Sequence, residues 1–536
     1  MWLQLSQFKT GLDFDERGLA KLVALSLKLP ETAIGDLTIR RKSLDARKEP
    51  VFVYTLVFQV DYSPYELDAL LAMTAGLDVY EPPAMPALTH CDPIARQFRP
   101  VVVGAGPAGL FAGFRLAVAG WRPIILERGD GLEERVTKVT RFWDRGELDP
   151  ESNIQYGIGG AGTFSDGKLT TRIKDPRIPA VLDTLIAFGA PPEIRYWQYP
   201  HIGTDLLRQV VAGLERFIVE RGGTVRFRAG LSDFTYLDGQ SIRVGVNRQE
   251  EIETDCLVLA TGNSARDVYR LLGAKGLPLT AKPFAVGVRI EHPQELIDRA
   301  QYGRWAGHVK LGAAEYRLTH QHAASGRGVY SFCMCPGGRV IGAASTPGGV
   351  VTNGMSFHAR DSGLANAAII ATVTEADYGA GSVFAGMEFQ EVLEQRAFAC
   401  GGGGFKAPAQ RVGDFIKRQP TTAFGSLQPS YLPGVTPADL WELLPPGIAA
   451  AIADGIGAFG RKVKGFDWAD AVLTGVETRT SAPLRIVRND RREAPGFPGI
   501  YPVGEGAGYA GGIVSSALDG WKTAEAILEQ RSCSGG

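Results

Sequence analysis

Val101-Val-Val-Gly104-Ala-Gly106-Pro107-Ala108-Gly109 reads as a short buried strand running into a glycine turn, and the apolar residues after it continue as a helix through Ala119. Trp121-Arg-Pro-Ile-Ile-Leu126 is the next strand, closed by Glu127 with Arg128 beside it. In a strand–turn–helix setting Gly104 permits the tight turn, Gly106 lets backbone approach a pyrophosphate, and Gly109 lets the helix pack on its strand. The helix start offers free N–H groups and a positive dipole end to phosphates. An acid at the end of the second strand suits ribose hydroxyls. The segment therefore predicts a bound dinucleotide and does not separate FAD from NAD.

Outward from this unit, strands and helices alternate. A helix is expected near 204–220, strands at 224–228, 241–247 and 256–260, and a final strand, glycine loop and helix at 495–530. Nucleotide chemistry at both ends implies one α/β domain with a Rossmann-like FAD-binding fold, interrupted by an insertion. The expected boundaries are 96–275 and 476–536 for its two parts, and 276–475 for an α+β substrate domain. Residues 1–95 read as a separate small α+β domain, with a helix at 17–28, the strand Val51–Val60, and a stiff linker at Glu81–Pro86. Its run Arg40-Arg-Lys42, with Arg47-Lys48, reads either as a solvated face or as a docking site for an anionic protein partner.

The far end separates the dinucleotides. Gly504-Glu505-Gly-Ala-Gly508 followed by Gly511-Gly512-Ile513 places a carboxylate beside a second helix start. These residues resemble the late motif of glutathione-reductase-like flavoproteins, in which an acid contacts the flavin ribityl chain; there the acid is usually Asp, here it is Glu505. Leu257-Val-Leu-Ala-Thr261-Gly262 resembles a third motif of that class. The resemblance implies noncovalent FAD. A narrower resemblance covers nearly the whole chain: Gln155–Leu169, Pro200–Asp205, Ser331–Gly338, Asn353–Ser356, Gly475–Ser481 and Lys42–Lys48 look like a bacterial family of FAD-dependent dehydrogenases whose substrate is not defined. No separate second nucleotide-binding unit is read in the chain, so NAD(P)H would act as a transient donor without a domain of its own.

Composition excludes several other classes. Lys and Arg number 57 against 58 Asp and Glu, which gives no global field for nucleic acid. Glycine fills 67 of 536 positions, well above the usual ~7% share, in short loops rather than repeats. No signal peptide or apolar run of membrane-spanning length is visible, so a soluble cytoplasmic protein is expected. Six scattered cysteines and seven histidines form no disulfide framework and no metal-ligand pattern. The close pair Cys333-Met-Cys335 reads either as structural thiols or as a redox or metal site.

The remaining candidates lie in loops. Gly157–Gly167 combines Gly159 and Gly160 with Ser165 and Asp166, followed by Lys168, a composition suited to wrapping a cofactor. Lys168 could meet the flavin edge or a phosphate, or face solvent. Lys168, His201, Asn353 and Arg479 are the candidate catalytic groups, and none is singled out as acid or base. His201 precedes a helix whose Thr204 or Asp205 could serve as its cap. Arg479 is read as either a structural ion pair or a clamp for a substrate anion. The function expected is hydride transfer between a small organic substrate, or NAD(P)H, and flavin N5. A flavin monooxygenase, or a flavin-bearing scaffold without turnover, is the alternative.

Overall fold

The computed structural model describes residues 1–61, 64–82, 97–237 and 241–532. Val101–Val103 is the central strand of a five-stranded parallel sheet, in the order Ile500–Pro502, Leu257–Leu259, Val101–Val103, Ile124–Leu126, Thr224–Arg226. The central strands are buried throughout, which is why they read as unbroken apolar runs. The strand expected from Trp121 begins only at Ile124, because the Trp121 amide closes the preceding helix on Leu116 and Arg122 takes a left-handed φ of 47°. Helix Pro107–Val118 packs on the last helix, Ile513–Ser532. A Cβ at Gly520 would lie 2.0 Å from the Ala108 carbonyl oxygen, so these helices meet backbone to backbone.

Between Leu257–Leu259 and the final strand Ile500–Pro502, the chain builds a seven-stranded sheet. Its order is Thr319–Gln321, Gly328–Cys335, Leu364–Val373, Phe284–Pro293, Val472–Glu477, Ala407–Arg411, Val435–Pro437, antiparallel except for the last pair. Helices Ala385–Cys400 and Pro446–Gly460 cover it and share its apolar core.

The N-terminal residues form a four-stranded antiparallel sheet, Gly35–Asp45, Val51–Gln59, Trp2–Gly11, Leu77–Val79, backed by helix Leu19–Leu27. The basic run read as a surface is partly interior. Lys42 pairs with Glu16, and its ammonium sits 4.3 Å from the Phe52 ring centre and 4.7 Å from that of Trp197. Its backbone also joins the 193–198 segment: the Lys42 amide donates to the Tyr196 carbonyl (2.8 Å) and the Gln198 amide to the Lys42 carbonyl (2.9 Å). Residues 83–86 of the expected linker, and Cys91 and Cys533, lie outside the described residues.

Candidate functional site

The carboxyl ends of the parallel strands open into a cavity of about 1520 Å³, closed on its far side by the seven-stranded sheet. Ligand crevices form at such strand ends. A volume above the ~300–1,000 Å³ of ordinary ligand pockets leaves room for a long cofactor and a second molecule.

On the parallel-sheet wall, each glycine of the first motif has a visible reason. Gly104 takes φ of 100°, and a Cβ there would lie 2.3 Å from the Ala260 carbonyl oxygen. A Cβ on Gly109 would come within 1.9 Å of the Gly104 carbonyl oxygen. Gly106 borders the cavity, and a Cβ there would have only the Gly160 Cα nearby, at 3.9 Å. Gly262 and Gly511 face the same space with no atom within 4 Å of such a Cβ. The Thr261 hydroxyl in this wall is buried and has no protein partner. Open glycine positions and an unsatisfied hydroxyl fit a ligand that brings polar atoms close to backbone.

Pro107, Ala108, Glu127, Arg128, Gly160, Ser165, Asp166, Lys168, Glu505, Gly512 and Ile513 also border the cavity, as do the candidate catalytic residues Asn353 and Arg479. Gly109, Gly159 and Gly504 stand behind the wall and shape it; a Cβ on Gly159 would meet the Thr163 hydroxyl at 2.1 Å and one on Gly504 the Ala108 Cβ at 2.7 Å. Glu127 is buried and already accepts from the amides of Ala105, Gly129 and Gly157, each at 2.9 Å. It therefore pins two glycine loops together, a use not foreseen in its expected ribose role. Arg128 is held by Glu151 and Asp267 over the Tyr156 ring.

The loop from Gly157 is stitched by Arg135, a fully buried guanidinium that donates to the carbonyls of Asn153, Ile154, Ile158 and Gly160. Burial pushes its pKa down to about 9. Gly157 must be glycine beside it, since a Cβ would sit 2.2 Å from Arg135 Cδ. Glu505 accepts from Asn263 Nδ2 (2.8 Å), and burial pushes its carboxyl up to about 7, with Lys282 opposing.

The glycine loop meets the inserted residues through paired charges. Asp166 meets Lys168 Nζ (2.7 Å) and Arg360 (2.6 Å) and accepts from the Ser356 hydroxyl; Arg360 also meets Glu315 (2.7 Å). Burial opposes the Asp166 charge, but Lys168 and Arg360 hold its carboxyl well below the usual range. Burial likewise works against the Lys168 ammonium, yet Asp166 and Glu315 raise it, so it stays cationic. Arg479 is an ion pair, with both Glu394 oxygens within 3.1 Å. Asn353 Oδ1 accepts from Arg289 (3.3 Å), itself paired with Glu477.

His201 is a correction. It does not border the cavity; its Nε2 lies 3.1 Å from the His358 carbonyl and its ring stacks on that of His358. Burial, then Arg360, pushes its pKa down to about 4, so it is neutral. The following helix begins at Gly203 without a side-chain cap, because Asp205 accepts from the His358 amide and the Thr204 hydroxyl donates to the Thr163 carbonyl. Arg135, Glu315 and Arg289 shape this site without having been marked in the sequence, whereas Cys333, which borders it, reads there with Cys335 as structural thiols or as a redox or metal site. Only Cys333 had a local signal, its pairing with Cys335. Among the described residues no cluster of three His, Cys, Asp or Glu is placed to hold a metal, and no helix is long and apolar enough to cross a membrane.

Residues 283–480 match the model of a C-terminal domain of FAD-dependent proteins, and residues 3–59 match a domain of unknown function. An uncharacterized protein of Clostridium beijerinckii is 46% identical over 99% of both chains. Similar solved structures include the halogenase PltM, with a TM-score of 0.39 at 12% identity over 82% of this chain and 70% of that one. OxyS anhydrotetracycline hydroxylase from Streptomyces rimosus scores 0.32 at 14% identity over 81% and 63%. A flavoprotein/dehydrogenase from Cytophaga hutchinsonii scores 0.35 at 12% identity over 82% and 79%. The domain match and the glycine-lined wall agree on the cofactor, which is FAD.

Proposed function

We propose, from the premise that this chain belongs to the same family as the clostridial protein 46% identical to it and carries the C-terminal domain of FAD-dependent proteins, that it is an oxidoreductase moving a hydride between a small organic molecule, or NAD(P)H, and its flavin. The observation that carries this reading is one cavity with two unlike walls: glycine loops on one side, charged side chains on the other. FAD, when bound, would supply the hydride-accepting chemistry at N5.

The chain's own residues have separable tasks. Gly104–Gly109 and the N-terminus of helix Pro107–Val118 receive the pyrophosphate. Glu127 fixes the loops that border the adenosine end. Glu505, in line with the resemblance to glutathione-reductase-like motifs, would meet the ribityl hydroxyls, and Gly511-Gly512-Ile513 would offer a helix start to the ring. That positive end favours electron density on the neighbouring ring edge, which assists hydride acceptance. Lys168 keeps a fixed positive charge in the same space, oriented by Asp166. The inserted sheet excludes water from the reacting side.

Anaerobic mixing of the purified yellow protein with NADH, NADPH and small alcohol, amine or hydroxy-acid donors tests the reading. A donor should bleach the flavin with no second substrate present, and steady-state kinetics should be ping-pong. A flavin inert to every reductant but dithionite would overturn it.

A further inference from the structure

The strand Gly328–Cys335 is irregular where it borders the cavity. Its pairing with Leu364–Val373 slips between Phe332 and Cys335, so two residues of one strand face one of the other. Cys333, at this bulge, takes φ of 42°, a left-handed conformation that a side chain rarely adopts. Bulges re-aim side chains next to functional sites. Here the half-buried Cys333 borders the cavity while Cys335 is fully buried behind it. The Cys335 thiol reaches back to Cys333 and donates to its carbonyl (3.3 Å). Arg289 underlies both, donating to the Cys333 carbonyl at 3.2 Å with the Cys335 sulfur 4.0 Å away.

We propose that Cys333 and Cys335 are a reversible dithiol–disulfide pair, a second two-electron centre facing the flavin cavity, with Cys333 the exposed attacking thiol and Cys335 the buried resolving one. The positioning residue is Arg289, which is fully buried and fixed by Glu477 (3.0 Å) and Asn366 (2.6 Å). On oxidation an S–S bond forms between the two sulfurs and the Cys335 S–H bond breaks. The two electrons and that proton would pass to bound FAD, or to an external disulfide such as oxidised glutathione, and reduction would run the same steps backwards. The inference rests on the oxidoreductase reading only for FAD as the electron acceptor.

The charges around the pair favour the thiolate at Cys333. Its pKa is pushed down to about 6, first by the Cys335 thiol, against burial, and then by Arg289 and Lys168, with Glu477 opposing. Glu505 also faces it. Cys335 is pushed up by the Cys333 sulfur, by burial, and by Asp166, with Arg289 opposing. One thiol ionised at neutral pH and its neighbour protonated is the division of roles that thiol–disulfide exchange requires.

The test uses the flavin-loaded protein. Equilibrated across ratios of reduced to oxidised glutathione, acid-quenched and digested with trypsin, it releases Gly328–Arg339, which holds these two cysteines and no other. Mass spectrometry should show this peptide moving reversibly between a dithiol and a form lighter by two hydrogens, with the flavin retained. Cys335→Ser should accumulate a glutathione mixed disulfide at Cys333. Labelling of Cys333 by iodoacetamide should level off with a midpoint near about 6. Dithionite titration of the oxidised wild type should then consume twice the electrons per flavin that Cys333→Ser does. A peptide that stays in the dithiol form at every ratio while the protein stays yellow would overturn the proposal. So would a labelling midpoint at the ~8.5 of a free thiol. Donor-driven bleaching that persists in Cys333→Ser leaves the oxidoreductase reading intact, so the two proposals fail separately.

Discussion

The parallel-sheet wall of the cavity offers backbone: amides at helix starts, glycines without Cβ atoms, and a carboxylate, Glu127, spent on three amides. The opposite wall offers side chains held in buried ion pairs: Arg289–Glu477 within the seven-stranded sheet, and Arg266–Glu394–Arg479 and Arg360–Asp166–Lys168 tying the inserted residues to the parallel-sheet half. Burying such pairs costs desolvation that their attraction only offsets when geometry is good, so they fix position more than they add stability. A cofactor common to many reactions is met by backbone, which mutation alters little. A particular substrate is met by side chains, which mutation alters easily.

Breaking each wall should therefore look different. Gly109→Val has the largest expected effect, because its Cβ would enter the Gly104 carbonyl; the chain should lose all flavin and much of its folded yield. Gly106→Val, which fills only open cavity, should fold with an unchanged circular dichroism spectrum and come out colourless. A yellow Gly106 variant would mean the pyrophosphate lies elsewhere. Next, Glu477→Gln leaves the buried Arg289 uncompensated and should cost about 3–5 kcal/mol in urea unfolding, whereas Arg289→Met combined with Glu477→Leu should recover part of it. If the single change costs nothing, the inserted wall is not organised by charge.

Glu127→Gln should lower the stability of the flavin-free protein by about 1.5–3 kcal/mol, since an amide cannot accept from all three donors. A loss confined to flavin affinity would restore the ribose contact as its main role. A further effect is pH-dependent. Glu505 has its carboxyl raised from 4.5 to about 7, so between these values the folded chain holds a proton that the unfolded chain releases. Its contribution is complete below about pH 4.5 and is lost as pH rises through about 7. Flavin-stripped wild type should lose stability relative to Glu505→Gln between pH 5 and 8, and parallel melting profiles would count against a buried, protonated Glu505.

The legible part of the site was the part that is local in sequence. Gly104, Gly106 and Gly109 declare their geometry within six residues, and Gly511-Gly512-Ile513 does so again at a helix start. Arg289 and Glu477 lie 188 residues apart and meet only because their strands pair, so no window contains the signal. His201 was read by residue type and turned away by a backbone bridge to Lys168. The basic run at Arg40–Lys42 hid a similar long-range contact: besides Phe52, Lys42 meets the ring of Trp197, far along the sequence.

The parallel sheet joins Val101–Val103 to Ile500–Pro502 through Leu257–Leu259, with helix Ile513–Ser532 laid across the glycine turn. Translation separates these pieces in time. At about 5–20 residues per second the ribosome needs on the order of 20–80 s to travel from one to the other. During that interval the glycine turn exists without the helix that packs on it, and the inserted sheet has all its strands while the nucleotide-binding sheet still lacks one. A nascent chain therefore cannot complete its cofactor pocket until its last strand and helix have emerged. Flavin capture becomes a late checkpoint that an arrested or frameshifted product never passes.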